Sequence, residues 1–536
     1  MKKLFCLVLT LSMVLSMAAF SGAVAEVPQE ITYSMYSEPD GIDPSVTNNS
    51  FASDVLCNAF EGLMTYDTTN GSLICGEAES YTVSDDGLVY TFTLRDGLKW
   101  SDGSDHTAQD YVYTFRRVLT PATGAQYVDL VSSYIAGASD YYEGVTDDFS
   151  TVGVKAIDDR TLELTLINPT SYFCDVLTMW PFSPVQQATV EANGDSWTSS
   201  AATYVSNGPF MVTDIKLGES ITLEKNPYYY DADVVQMQKI TFRYITDNST
   251  ALMAYESGEI DGMNVVPASD YARLKANDEG FVNVTAYGTT YWDFNCAVEP
   301  FDNVLVRKAF NLAIDRYALI EDVLQTDATP AYSFIAPGYT VDGYDFTDDL
   351  GTFELSDEAD PEAAQEALAE AGYPNGEGFP EITLYYYSSD TVALVAQALA
   401  NMLETNLNIS VKIENADWAV FYADVLAGNY QLCAMGWSAD YLHPMTFLPL
   451  AKTGDANNVA FWSNEEYDEM VEKAAACTDA KEALEYIAAA DTIASENYVF
   501  MNLYYKNNTS LMNPAVKGWY INPSAMMYLK NAYVEG

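Results

Sequence analysis

Positive charge is what this 536-residue chain has least of: 24 Lys and Arg stand against 77 Asp and Glu, for a net charge of -53. A protein held to nucleic acid by counterion release needs a basic face, so no nucleic-acid partner is expected. Histidine is nearly absent, with only His106 and His443. A Ser/His/Asp triad would have to use one of these two, and neither has a triad signature around it. His106 sits in a polar turn and His443 in a loop beside Pro444, and both read as solvated residues. No GxSxG elbow, GxxxxGK[ST] phosphate loop, HExxH or GxGxxG occurs. The seven cysteines contain no CxxC, which argues against zinc ribbons and thioredoxin chemistry. No cofactor and no metal site are expected. Internal repeats and Gly/Ser or Pro-rich linkers are also missing, so separate domains would have to be built from chain segments that cross back and forth.

What is present begins with an export signal. Met1-Lys2-Lys3 is basic, Leu4 to Met17 is apolar, and Ala23-Val24-Ala25 before Glu26 is a small-residue cleavage site, so residues 1–25 are expected to be removed. The expected location is periplasmic or extracellular at the cell surface. No cysteine stands at the cleavage point to carry a lipid, and no later apolar run is long enough to span a bilayer. Cys57, Cys75, Cys174, Cys296, Cys433 and Cys477 remain, several in apolar contexts suited to small buried side chains, and no pairing is predicted. Apolar residues make up 49% and aromatics 13%, with 40 Tyr, so the chain forms a core and has aromatic surface in surplus. Its length predicts two or more domains.

Local patterns alternate between strand and helix. Tyr81 to Val83 and Val89 to Arg95 flank Asp85-Asp86-Gly87 and predict a hairpin with Tyr90, Phe92 and Leu94 on one face. Thr107 to Asp110 resembles a capping box that starts a helix running to Leu119. Val306, Ala309, Phe310, Ala313 and Ile314 form one apolar helical stripe. A helix starts at Pro361 and stops at Gly372. Then come Ile382 to Tyr387 (strand), Thr391 to Thr405 (helix), Ile409 to Glu414 (strand), Asp417 to Ala427 (helix) and Tyr430 to Gly436 (strand). This β-α-β-α-β run predicts an α/β fold with a mostly parallel sheet covered by helices on both faces. Ligands sit beyond the carboxyl ends of strands in such sheets, which is where Trp437 to Tyr441 falls.

Several blocks, in order, resemble family 5 extracellular solute-binding proteins, of the type that serves ABC importers of oligopeptides. They include Asn58-Ala59-Phe60-Glu61-Gly62-Leu63, Ser84-Asp85-Asp86-Gly87-Leu88-Val89-Tyr90-Thr91-Phe92, Leu98-Lys99-Trp100-Ser101-Asp102-Gly103 and Ser206-Asn207-Gly208-Pro209-Phe210. Leu223 to Tyr229, Ser257 to Asp261, Asn303 to Ala309, Ala369 to Tyr373 and Gly436-Trp437-Ser438-Ala439-Asp440-Tyr441 follow.

The resemblance implies a two-lobed, hinge-closing fold with mixed sheets and a ligand cleft between the lobes. Lobe I would comprise 26–63, 186–290 and 506–536, an extra subdomain 64–185, and lobe II 291–505. It also implies a non-enzymatic monomer that captures oligopeptides by backbone hydrogen bonds and delivers them to a membrane permease. Asp440 would accept the peptide's α-ammonium group, and Trp437 and Trp418 would wall side-chain pockets. Tyr441, Asn207, Gly208, Tyr127 and Tyr504 would also contact ligand.

Some family features are missing. Ala434 stands where binders of short peptides place an Arg for the peptide carboxylate. Val392 and the Glu321 to Leu324 segment lack the other cations, and Ala52 replaces an acid. The expected ligand is therefore a longer peptide whose tail leaves the cleft, or a cationic or amine-bearing solute. Other ligands of the same fold (oligosaccharide, nickel chelate) and a secreted hydrolase using a carboxylate pair are the alternatives.

Overall fold

The computed structural model describes residues 27–341 and 343–536, so the expected signal at 1–25 lies outside the described residues. The first strand, β1 (Glu30–Met35), buries Ile31, Tyr33 and Met35, the alternate positions of an extended segment. The hairpin is present as β2 (Ala78–Val83) and β3 (Val89–Leu94), with Tyr90, Phe92 and Leu94 buried. Gly87 makes the turn at φ 73°, a backbone conformation that strains a residue with a Cβ. Next, α1 (Ala108–Val118) starts from a complete capping box, in which the Thr107 hydroxyl accepts from an N-terminal N–H and the Asp110 carboxylate accepts from the Thr107 N–H at 2.9 Å. The strands β4 (Val154–Asp158) and β5 (Thr161–Thr165) complete a separate antiparallel sheet in the order β2-β3-β5-β4.

His106 departs from the surface position expected of it. It is buried beside Trp100, with Nε2 2.7 Å from the Glu77 carboxylate and Nδ1 3.1 Å from Asp110. Burial opposes its charge, but the two carboxylates outweigh that and hold its pKa up at about 9. Glu77, which reaches it from the start of the hairpin, is what a reading of the local turn could not supply.

The main sheet is built from strands far apart in sequence: β6 (Phe210–Lys216), β7 (Ser220–Lys225), β8 (Lys239–Tyr244), β9 (Gly262–Met263) and β10 (Phe281–Phe294). The helices α2 (Val304–Leu312) and α3 (Pro361–Glu370) follow, then β11 (Ile382–Tyr387), α4 (Asp390–Leu407), β12 (Val411–Ala416), α5 (Trp418–Leu426), β13 (Leu432–Ser438) and the long β14 (Phe500–Met512). Their order is β12-β11-β13-β10-β14-β9-β1-β8-β7-β6, with Thr329–Pro330 pairing on β14. Each element of the β-α-β-α-β run forms within about two residues of its expected bounds. The helical stripe Val306, Ala309, Phe310, Ala313 and Ile314 is fully buried, packed with Leu384, Leu399 and Leu432 into one core.

The expectation of a mostly parallel sheet holds for β12-β11-β13, and β1 is also parallel to its neighbours β8 and β9. β10 runs antiparallel to both β13 and β14, so the sheet is mixed. The reason is topological: β10 and β14 enter from the other half of the molecule, and no local crossover announces them. These two strands join the halves. Phe281–Thr285 of β10 pairs with Leu511–Asn507, its later part pairs with Tyr505–Phe500, and the register breaks between Thr285 and Thr289.

Candidate functional site

The strand β13 ends at Ser438, and the chain turns away when Ala439 donates its N–H to the Tyr287 carbonyl at 2.8 Å. Asp440 follows. Its carboxylate accepts a hydrogen bond from the Tyr127 hydroxyl at 3.0 Å, bringing together residues 313 positions apart. Burial raises the Asp440 pKa to about 6 against the lowering effect of the Tyr127 bond, and among the described residues no cation pairs with it. Tyr441 is buried, its hydroxyl 3.1 Å from that of Tyr134 and its ring stacked on Tyr172 at 5.9 Å.

His443 extends this aromatic packing and is not solvated. It lies 4.6 Å from Tyr172 and 4.6 Å from Tyr339, ring to ring, and its Nδ1 accepts the Met445 N–H at 3.2 Å. Burial pushes its pKa down to about 3, so it is neutral. The loop after β13 is thus held against the segment carrying Tyr127, Tyr134 and Tyr172.

A cavity of about 260 Å³, which Asp440 does not line, opens against the strand that leads into this loop. Its floor comes from alternate residues of three neighbouring strands: Thr290 and Trp292 of β10, Ala434 and Gly436 of β13, and Tyr504 and Lys506 of β14. Val392 of α4, Trp418 of α5 and Tyr387 stand around it. Trp418 is 53% exposed. Its ring is stacked on Tyr422 at 5.2 Å and edge-on to Tyr387 at 5.2 Å, forming an open aromatic shelf. A second cavity of about 320 Å³, which Asp54 helps to line, continues along β14 from Asn507 to Ser510.

Ala434 and Val392, where cations were expected and absent, therefore line the same cavity, and the cavity has a cation from elsewhere. Lys506 reaches across β10 and donates from Nζ to the Ser438 hydroxyl at 3.1 Å. Two glycines give it room. A Cβ on Gly288 would lie 3.3 Å from the Lys506 Cδ and 2.7 Å from the Trp437 carbonyl. One on Gly436 would lie 3.6 Å from Nζ and 2.8 Å from the Thr289 carbonyl. A Gly436→Ala substitution is expected to lower unfolding free energy by about 1 to 2 kcal/mol in urea denaturation, because backbone on the facing strand must shift.

Lys506 was not singled out from the sequence, yet a signal was there. It is a lone cation in an acid-poor stretch, two residues from Tyr504 in a strand, and therefore on the same face.

Other residues named from the sequence are placed differently. The indole N–H of Trp437 donates to the Thr446 hydroxyl at 3.1 Å, and Trp437 does not line either cavity. Asn207 is buried, accepting from the Glu61 N–H at 3.3 Å and donating to the Glu61 carbonyl at 2.7 Å. Gly208 donates to the Ala59 carbonyl at 2.8 Å, and a Cβ there would lie 2.6 Å from the Ala59 backbone. Both pin the start of β6 to the segment Ala59 to Glu61, and the structure does not bring them to the cavity. The six cysteines at 57, 75, 174, 296, 433 and 477 are free, and no cluster of metal-ligating side chains occurs among the described residues.

The model of the bacterial extracellular solute-binding proteins, family 5 Middle, matches residues 74–458. The chain belongs to this family. It is 33% identical to the oligopeptide-binding protein OppA of Bacillus subtilis over 93% of this chain and 91% of that protein. Among solved structures it is similar to a periplasmic oligopeptide-binding protein of an oligopeptide ABC transporter from Borrelia burgdorferi, with 33% identity and a TM-score of 0.78. That match covers 94% of this chain and 99% of the other. It is likewise similar to Haemophilus influenzae OppA in complex with the peptide RPPGFSPFR, at 31% identity and a TM-score of 0.77 over 95% and 100% of the two chains. The two-lobed fold expected from the sequence is that of these proteins. The family and these relatives bind solutes and are not enzymes. Among the described residues no helix is long and apolar enough to cross a membrane.

Proposed function

We propose that this protein captures peptides outside the cytoplasm, in the cleft beside β13, and delivers them to the permease of an ABC importer. The observation that carries the reading is Asp440: a half-buried carboxylate, held by Tyr127, with no cation among the described residues to balance it. A ligand's α-ammonium group balances it. The relatives' names and the peptide held by Haemophilus influenzae OppA support the same ligand class. Trp418, Tyr387 and Tyr504 offer aromatic surface to side chains, and the two cavities along β14 accommodate an extended chain.

In this reading 26–63, 186–290 and 506–536 form one lobe, 64–185 its extra subdomain and 291–505 the other lobe. The irregular register near Thr285 to Thr289 lets β10 and β14 act as the hinge. Ligand touching both lobes stabilises the closed arrangement by its differential affinity, and the permease recognises that arrangement. The protein works as a monomer retained outside the membrane.

Isothermal calorimetry with peptides of rising length tests this. Saturable heat with the peptide recovered intact is expected; hydrolysis of the peptide, or no binding across the series, overturns it.

A further inference from the structure

In a chain with 77 acids, a cation facing a cavity with no acid beside it needs an explanation. Most Lys and Arg side chains of this protein pair with a carboxylate, as Lys99 does with Asp105 and Lys412 with Glu381. Among the described residues Lys506 pairs with no carboxylate, and its one hydrogen-bond partner there is the Ser438 hydroxyl at 3.1 Å. Loss of hydration pushes its pKa down to about 8, with no carboxylate to hold it up. Its surface is still partly accessible, because it faces the cavity and not the packed core.

The surroundings are shaped to keep the ammonium there. The stem passes Gly288 and the head lies over Gly436, where any larger side chain would collide with the facing strand. Ala434 and Val392 leave open the space around it, and the hydroxyl-bearing residues Thr290, Ser389, Thr391, Tyr387 and Tyr504 supply neutral polar groups to the wall. These groups can hydrogen-bond a carboxylate's oxygens but supply no charge. An ammonium with three donors and a single hydrogen-bond partner among the described residues has donors left to offer, and is arranged for an anionic ligand group.

We propose that Lys506 is the carboxylate receptor of the cleft, binding either the free C-terminus of a short peptide or an acidic side chain of a longer one. This rests on the peptide reading above and changes one part of it. The missing cations at Ala434 and Val392 do not leave the cavity without an anion site; the site has moved to β14. Charge selection then comes from both sides, with Asp440 taking the amine and Lys506 the carboxylate. No ion pair joins these two residues, so each is available to the ligand.

The test compares wild type, Lys506→Met and Lys506→Arg by calorimetry at pH 7. The ligands are a peptide length series, each as free acid and as C-terminal amide, plus amidated peptides with one Glu. Wild type is expected to prefer the carboxylate-bearing member of some pair by roughly 10-fold or more, and Lys506→Met to lose that preference while binding the neutral amides as wild type does. Lys506→Arg keeps part of it. Preference for free acids identifies the C-terminus as the source, and preference for Glu peptides identifies a side chain. A second readout is proton uptake: binding of the carboxylate ligand to wild type at pH 8.5 takes up protons, seen by repeating the titration in buffers of different ionisation enthalpy.

If peptides bind but wild type and Lys506→Met show the same preferences, or Lys506→Met weakens acids and amides equally, the inference fails and the peptide reading stands. If no peptide binds wild type, the peptide reading fails. Succinate and hexanoate are then assayed by thermal shift, where stabilisation of wild type but not of Lys506→Met sustains the carboxylate site and its absence overturns it.

Discussion

Replacing Asp440 with Asn is expected to weaken binding of peptides with a free α-ammonium group by roughly 10- to 100-fold, and to leave their N-acetylated counterparts within about twofold. The first figure corresponds to about 1.5 to 3 kcal/mol, the range of a hydrogen bond to a charged group in an enclosed site. Asparagine keeps the shape and the acceptor for the Tyr127 hydroxyl, so the change removes the charge with little else. Acidification should have the same effect. The Asp440 pKa stands at about 6 without ligand, so lowering the pH from 7.5 to 5 protonates it and removes the attraction. A bound ammonium group favours the ionised form and pulls that pKa down, so the loss in the complex begins below 6. Calorimetry across this range checks both statements: affinity for ammonium peptides falls with acid in wild type and stays flat in Asp440→Asn. Equal losses for acetylated and free peptides would mean that Asp440 serves packing and not recognition.

Much of the molecule was legible in the sequence because it is local. The capping box at Thr107 to Asp110, the hairpin around Gly87 and the helices α3 and α4 all follow from side-chain spacing and end signals within a few residues, and all are present. What was not legible comes from distance. His106 is charged and buried because Glu77, just before the hairpin and 29 positions away, faces it. His443 is neutral and buried because Tyr172 and Tyr339 enclose it. The antiparallel β10 and β14 have no local crossover, so the sheet's mixed character could not be read from the parallel run alone.

The site divides in the same way. Asp440 was singled out by its place beyond a strand together with the family resemblance, and Trp418 and Tyr504, named on that resemblance, line the cavity. Asn207 and Gly208 belong to a block of sequence whose internal hydrogen bonds explain them without a ligand. Lys506 lies 68 positions from its partner Ser438 in the sequence. Only the strand order shows that a lysine on β14 reaches over β10 to the same cavity.

Asp440 and Lys506 each lack an ion-pair partner among the described residues, which costs stability, and removing either charge should raise it. For Asp440, the folded pKa of about 6 exceeds the ordinary carboxyl value of 3.8. Between those values the folded state holds the proton more tightly than the unfolded one, so stability falls as pH rises through the window, and the penalty is complete above pH 6. Asp440→Asn without ligand is therefore expected to be more stable than wild type at pH 7 by about 2 to 3 kcal/mol, with the gain fading below pH 6 and gone near 4. Lys506 has the mirror-image behaviour. Its folded pKa of about 8 lies below the ordinary 10.5, so its penalty is complete below pH 8 and disappears as pH rises toward 10.5. Lys506→Met should thus also be stabilised at pH 7. Urea denaturation of the ligand-free proteins at pH 5, 7 and 9.5 checks the two signs independently. If Asp440→Asn is no more stable than wild type at pH 7, Asp440 is already balanced within the protein, and the argument that a ligand's ammonium group supplies the missing charge is lost with it.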